Sequence, residues 1–132
     1  MNKEEQLKQA RDLLLKLHKS MLDLEREMYE GIQGKQTAAQ FLNLLLEDED
    51  FGWLRKFSML IVEIDEMFAS KEGFPDEMVE ANLQKVNELV AMAETDDYFK
   101  AKYQFSLQRD PYAAGLHSEL KNLLSLQSEP PA

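Results

Sequence analysis

Apolar residues recur along most of this chain at steps of three and four, the period of a helix that buries one face. In the first stretch Leu7, Ala10, Leu14, Leu17, Met21, Leu24 and Met28 follow one another without a slip, which is a heptad seam. At roughly 100° per residue a second row, Leu15, His18, Leu22, Glu25 and Tyr29, runs beside it. The combined arc is about 200° wide, against the 100° or so that a one-sided helix needs, so this helix must be covered on two sides.

Phe51 to Phe68 places Trp53, Leu54, Phe57, Leu60, Ile61, Ile64, Met67 and Phe68 on one arc and leaves Met59 and Val62 outside it. Val79, Leu83, Val86, Leu89, Val90 and Ala93 make a narrower stripe, and Leu116, Leu120, Leu123 and Leu124 another, as expected of outer walls. Punctuation residues separate these segments. Gly31 and Gly34 end the first helix near Ile32, and Thr37 caps a short helix to about Leu46. The acidic run Glu47, Asp48, Glu49 and Asp50 turns the chain and complements the next helix dipole. Pro75 with Asp76 and Glu77 opens a helix to about Ala93, Thr95, Asp96 and Asp97 one through Gln108, and Asp110 with Pro111 the last, to about Leu126.

No segment alternates as a strand does. The expectation is an all-α, antiparallel bundle of about five to six helices with a long N-terminal helix, centred on the first helix and the Phe51 helix. Residues 1–127 form one domain and residues 128–132 a flexible tail.

Composition narrows the chemistry. The 132-residue chain is long enough for a core without staples, and it has no cysteine, which removes disulfides and thiolate zinc and fits a cytoplasmic protein. No signal-peptide pattern and no membrane-length apolar run is present. With 25 acidic residues against 15 basic ones and a formal charge of -10, nucleic acid is not an expected partner.

A carboxylate-bridged metal site needs a Glu-x-x-His pair, and His18 and His117 follow Leu15 and Ala114 at that spacing, so no metal or cofactor is expected. Ser20, Ser58, Ser106 and Ser118 lack a nucleophile turn, and Lys35 is followed by Gln36 rather than by a P-loop hydroxyl. In the carboxylate group Glu63, Asp65 and Glu66, only Asp65 lies near the apolar edge, where a structural ion pair with Arg55 or Arg109 is the expected use. Tyr98, Phe99, Tyr103, Phe105 and Tyr112 are too many for one face of one helix. They are expected to plug the end of the bundle around Trp53 and Phe57, with a binding surface as the alternative.

Three segments, FGWLRKFSMLIVEIDEMF from Phe51, LHKSMLDLEREMYE from Leu17 and DDYFKAKYQFSLQRDP from Asp96, together resemble a bacterial family of small, uncharacterised all-helical proteins. The resemblance implies a bacterial, cytoplasmic, helical protein and no residue role. The residues themselves point to a noncatalytic interaction protein, with Leu15, His18, Leu22, Glu25 and Tyr29 as the face for a homodimer or another protein. The alternative is an enzyme or ligand-binding domain with a cleft near Trp53, Asp65, Tyr103 and Arg109.

Overall fold

The computed structural model describes residues 1–93 and 96–128, the last three of these as backbone within a helix. Six α-helices follow in order: α1 Lys3–Gln33, α2 Ala38–Glu47, α3 Gly52–Phe68, α4 Asp76–Val90, α5 Asp97–Arg109 and α6 Pro111–Ser128. A 3-10 turn, Glu49–Phe51, precedes α3, and there is no strand among the described residues.

Side chains set most of the helix starts by satisfying amides that have no partner in the first turn. Asn2 accepts from Glu5 N, Thr37 and Gln40 form a reciprocal capping box, and Asp96 accepts from Phe99 N at 2.7 Å. Within the acidic run Asp48 accepts from Asp50 N, which makes the turn into α3. Asp110 does the same for Tyr112 N at the head of α6. Thr95 and the tail after Ser128 lie outside the described residues.

Gly34, at φ 88°, closes α1, while Gly31 sits within the helix's last turn. At the end of α4, Met92 N donates to the Leu89 carbonyl and Ala93 N to that of Glu88, a helix-ending double bond that leaves Met92 at φ 58°. The chain therefore leaves α4 at Val90, before Ala93.

Contacts between helices fix their directions. Gln6 Nε2 donates to the Leu123 carbonyl at 2.8 Å and Ser20 Oγ donates to Asp110, so α1 and α6 are antiparallel. Arg11 with Asp65 and Tyr29 with Phe51 do the same for α1 and α3, and Asn82 with Met67 and Lys85 with Glu63 for α3 and α4. These four helices form an up-down-up-down bundle in which α1 touches each of the others, and α5 and α2 pack on its flanks.

α6 lies along α1 more extensively than α3 does, so it is α1's principal neighbour rather than an outer wall. The core runs through Leu7, Leu14, Leu17 and Met21 of α1, Phe57 and Ile64 of α3, Leu83 and Val86 of α4, and Leu120 of α6. No helix among the described residues is long and apolar enough to cross a membrane.

The expected seam along α1 fails at its C-terminal end. Leu24 and Met28 are only half-buried, and Glu25 is buried in their place. A straight helix drifts by about 20° per heptad against a strict seven-residue repeat. After two repeats the inward position has therefore moved from the seam to the second row.

Candidate interaction surface

That drift decides the fate of the second row on α1. Leu15 is exposed and His18 half-buried, and Leu22 and Tyr29 pack partly against the core. Burial holds the His18 imidazole below its ordinary pKa. Glu25 is 6% exposed and accepts from Lys102 Nζ of α5 at 2.8 Å. Tyr29 sits edge-on to Phe51, with ring centroids 5.9 Å apart. The C-terminal half of this row is thus closed by α5 and by the turn ahead of α3, and the row is not one free face.

The four cleft residues separate as well. Trp53 and Tyr103 are buried together around Phe57 and Phe99, with Phe57 and Tyr103 centroids 5.2 Å apart and Trp53 and Phe99 6.3 Å apart. The Tyr103 hydroxyl is hydrogen-bonded to His117 Nδ1 at 2.7 Å. Burial raises the phenol's pKa and, with Lys121, lowers that of the imidazole. The indole Nε1 of Trp53 is buried and has no hydrogen-bond partner among the described residues.

Asp65 lies twelve positions after Trp53 on α3, about 18 Å along the helix axis. It is exposed and paired with Arg11 through two bonds of 2.8 and 2.9 Å, not with Arg55 or Arg109. Arg109 lines a groove of about 590 Å³ between α1 and the α5–α6 turn, with Lys16, Lys19, Asp23, Glu27 and Asp110.

Of the late aromatics, Phe99 and Tyr103 plug the bundle, whereas Tyr98, Phe105 and Tyr112 lie at the surface. Among the described residues no group of three or more histidine, aspartate or glutamate side chains is placed to hold a metal ion.

Four of the large apolar side chains that the fold leaves exposed are on α2 and α3. α2, AAQFLNLLLE, carries Phe41, Leu42, Leu44, Leu45 and Leu46, and of these only Phe41 is buried. Phe41 fixes the helix by packing edge-on against Phe51 at 5.8 Å and beneath the Arg26 guanidinium. With that side inward, Leu44 and Leu45 fall at the boundary. Leu42 and Leu46, one turn apart, remain 54% and 61% exposed beside exposed Ala38 and Ala39.

On α3, Met59 and Val62 are 69% and 53% exposed, on the side opposite the core. Arg55 shares that side of α3, and its guanidinium donates to the Leu45 carbonyl near the end of α2. A shallow depression of about 370 Å³ lies over Ser58, Met59, Val62, Glu63 and Glu66.

The border of the depression is acidic. Glu63 and Glu66 line that depression with Met59 and Val62, whereas Glu47 lines another with Gln36, Gln40, Asn43 and Leu44. Glu63 is paired with Lys85, while Glu47, Glu49 and Glu66 have no ion-pair partner among the described residues. Arg55, the cation on this side of α3, is engaged by backbone carbonyls.

The sequence had isolated Met59 and Val62 as lying off the α3 arc. Leu42 and Leu46 were not singled out. The available signal was the run Leu44, Leu45 and Leu46 beside Leu42, which spans more of a helix than one neighbour covers. No family model, curated protein or solved structure matches this chain.

Proposed function

We propose that this protein is a noncatalytic interaction domain that docks another protein on the outward side of α2 and α3. The observation that carries the reading is α2 itself, an apolar helix that buries Phe41, packs Leu44 and Leu45 partly against the core and presents Leu42 and Leu46 to solvent, while α3 exposes Met59 and Val62. Scattered surface leucines are ordinary, but several large apolar side chains gathered on two adjacent helices with a charged border are a feature of interaction sites. The first helix, whose Leu15, Leu22 and Tyr29 row suggested a homodimer, contributes only Leu15 as an exposed member. A second copy of the chain stays within the reading as one possible occupant of the α2–α3 surface. The cysteine-free composition agrees with a cytoplasmic setting.

Photo-crosslinking tests the proposal directly. A crosslinking side chain is placed at Leu46, at Met59 or, as a control, at the exposed α1 position Gln9, and the products formed in cells of the source organism are compared. Discrete adducts from positions 46 and 59 that the control does not give support the docking surface. Adducts from none of the three, together with a monomeric mass at every concentration, would count decisively against it.

One observation favours a second reading, a small-ligand site. It is the groove of about 590 Å³ in which Lys16, Lys19, Asp23 and Glu27 of α1 meet Arg109 and Asp110 at the α5–α6 turn, with Leu24, Met28 and Tyr112 as its apolar walls. Its size is that of a ligand pocket, and its mixed charge suits a zwitterion. Thermal melting in the presence of amino acids and dipeptides tests it, because a ligand selective for the fold raises the melting temperature. A flat response removes this reading and leaves the first untouched.

A further inference from the structure

Resting on the reading of the groove between α1 and the α5–α6 turn as a ligand site, we infer that it takes a short peptide with free ends and an apolar amino-terminal residue. The peptide lies along α1, with its ammonium at Glu27 and its carboxylate between Lys16 and Arg109. Free surface charges alone are ordinary. Here they border a concave volume of about 590 Å³ together with apolar side chains that the core does not use.

Charge is segregated along α1. Lys16 and Lys19 line the groove on its amino-terminal side, and Asp23 and Glu27 on its carboxyl-terminal side. Some of these groups answer one another, since Lys19 is paired with Asp23 at 2.9 Å and Asp110 accepts from Ser20 Oγ and from Tyr112 N. Lys16, Arg109 and Glu27 are left without an ion-pair or hydrogen-bond partner among the described residues. Two cations and one carboxylate fit a ligand that offers one carboxylate and one ammonium.

Spacing selects the length. The Ser20–Asp110 bond sets the α5–α6 turn, Arg109 with it, at the level of Ser20. Glu27 lies seven positions beyond Ser20, about 10 Å along the axis, and eleven beyond Lys16, about 16 Å. An extended dipeptide or tripeptide, roughly 7 to 10 Å long, meets both signs, whereas a single amino acid of about 3.5 Å covers only part of the interval.

The apolar floor selects the end. Leu24 and Met28 are the members of the α1 seam that the helix's drift leaves half-buried, and both line the groove. They stand one turn apart and bracket Glu27 in the chain, so the ligand's apolar side chain belongs to the residue that carries the ammonium. Tyr112, 60% exposed, is a wall at the turn for the second residue.

The test is isothermal titration calorimetry of the full chain with leucylglycine, glycylleucine, N-acetyl-leucylglycine and free leucine. The variants are Glu27→Gln and Arg109→Gln, both at exposed positions, so the fold should persist, which circular dichroism verifies. Leucylglycine is expected to bind about tenfold tighter than glycylleucine, the effect of an apolar side chain partly buried at the ammonium end. It is expected to bind about threefold or more tighter than free leucine. Acetylating its amine weakens binding about three- to fivefold, as does Glu27→Gln, and the two losses do not add because they remove one contact. Arg109→Gln weakens leucylglycine and its acetylated form alike.

Equal binding of the two dipeptides, weakened by both variants, overturns the inference and keeps the groove as a ligand site. Free leucine bound as tightly as leucylglycine does the same. Losses from acetylation and from Glu27→Gln that add in full overturn the orientation, and the inference with it. Dipeptide binding that neither variant changes puts the ligand elsewhere and removes both the inference and the groove reading. No binding of either dipeptide overturns the inference, and free amino acids in the melting assay then decide the groove reading separately.

Discussion

Replacing Lys102 by methionine should destabilise the fold by about 3 kcal/mol, the low end of the cost of leaving a buried charge unpaired. The side chain of Glu25 is 7% accessible and that of Lys102 26%, and their 2.8 Å contact is the partner shown for the carboxylate. Methionine keeps most of the lysine stem's packing and removes the ammonium, so the loss reports the charge rather than a cavity. Glu25 is then left buried without its counter-ion. The partial exposure of Lys102 is the reason for choosing the low end, since some water already reaches the pair.

Urea unfolding at pH 7, followed by circular dichroism, gives the free energy, provided that the slope against urea is unchanged. For a chain of this length a loss of that size lowers the melting temperature by about 10 °C. The double variant Glu25→Leu with Lys102→Met should recover most of the stability, because an apolar pair of similar volume replaces a buried ion pair at little or no cost. A Lys102→Met variant within about 0.5 kcal/mol of the parent would refute the argument, since that is the scatter of an ordinary surface substitution. It would show that solvent reaches Glu25 freely and that the second row of α1 is open to a partner after all.

The pH dependence has a definite sign. Burial lowers the pKa of His18 and of His117, so the unfolded chain binds these protons first, and stability is full above about pH 6.5 and falls as pH drops through that value toward the folded-state pKa values. Urea midpoints measured between pH 7.5 and 5.5 should decline, and changing both histidines to glutamine should flatten the decline. Asp65→Asn, which breaks the two-bond pair with Arg11, should cost no more than about 1 kcal/mol by urea titration, because the carboxylate is half exposed. Trp53→Phe should cost about 1 kcal/mol or less, since the lost volume is offset by removal of the unpartnered indole N–H. Phe57→Ala, in the same cluster, should cost roughly 3–5 kcal/mol, and equal losses at the two positions would contradict this account.

The helices were legible in the sequence because capping and periodicity are local. Thr37, Asp96 and Asp110 stand where a side-chain oxygen meets a free amide, and the three- and four-residue steps give the buried stripe of α3 almost residue for residue. The partners of the polar groups were not legible, because they depend on helix directions. Asp65 meets Arg11 only because α1 and α3 are antiparallel, and Glu25 meets Lys102 only because α5 crosses the end of α1. The width of the α1 arc pointed correctly to cover on two sides. Nothing local distinguishes cover by α5 and α6 from cover by another chain, and counting a strict heptad to Met28 hid the drift that brings Glu25 inward.

The same drift bears on where an interface can lie. A helix with so wide an apolar arc as α1 is the obvious candidate for association, yet that arc is what the other long helices need, and little of it is left over. α2 stands in the opposite position. It is ten residues long and held at one end of the bundle by Phe41 against Phe51, with Leu44 and Leu45 packed partly against the core. Leu42 and Leu46 add no such anchor, and more than half exposed they give folding little beyond the few tenths of a kcal/mol, roughly, by which leucine exceeds serine as a helix former. Their presence is therefore better explained by an event after folding, burial against another surface, where each buried methylene contributes about 0.8 kcal/mol.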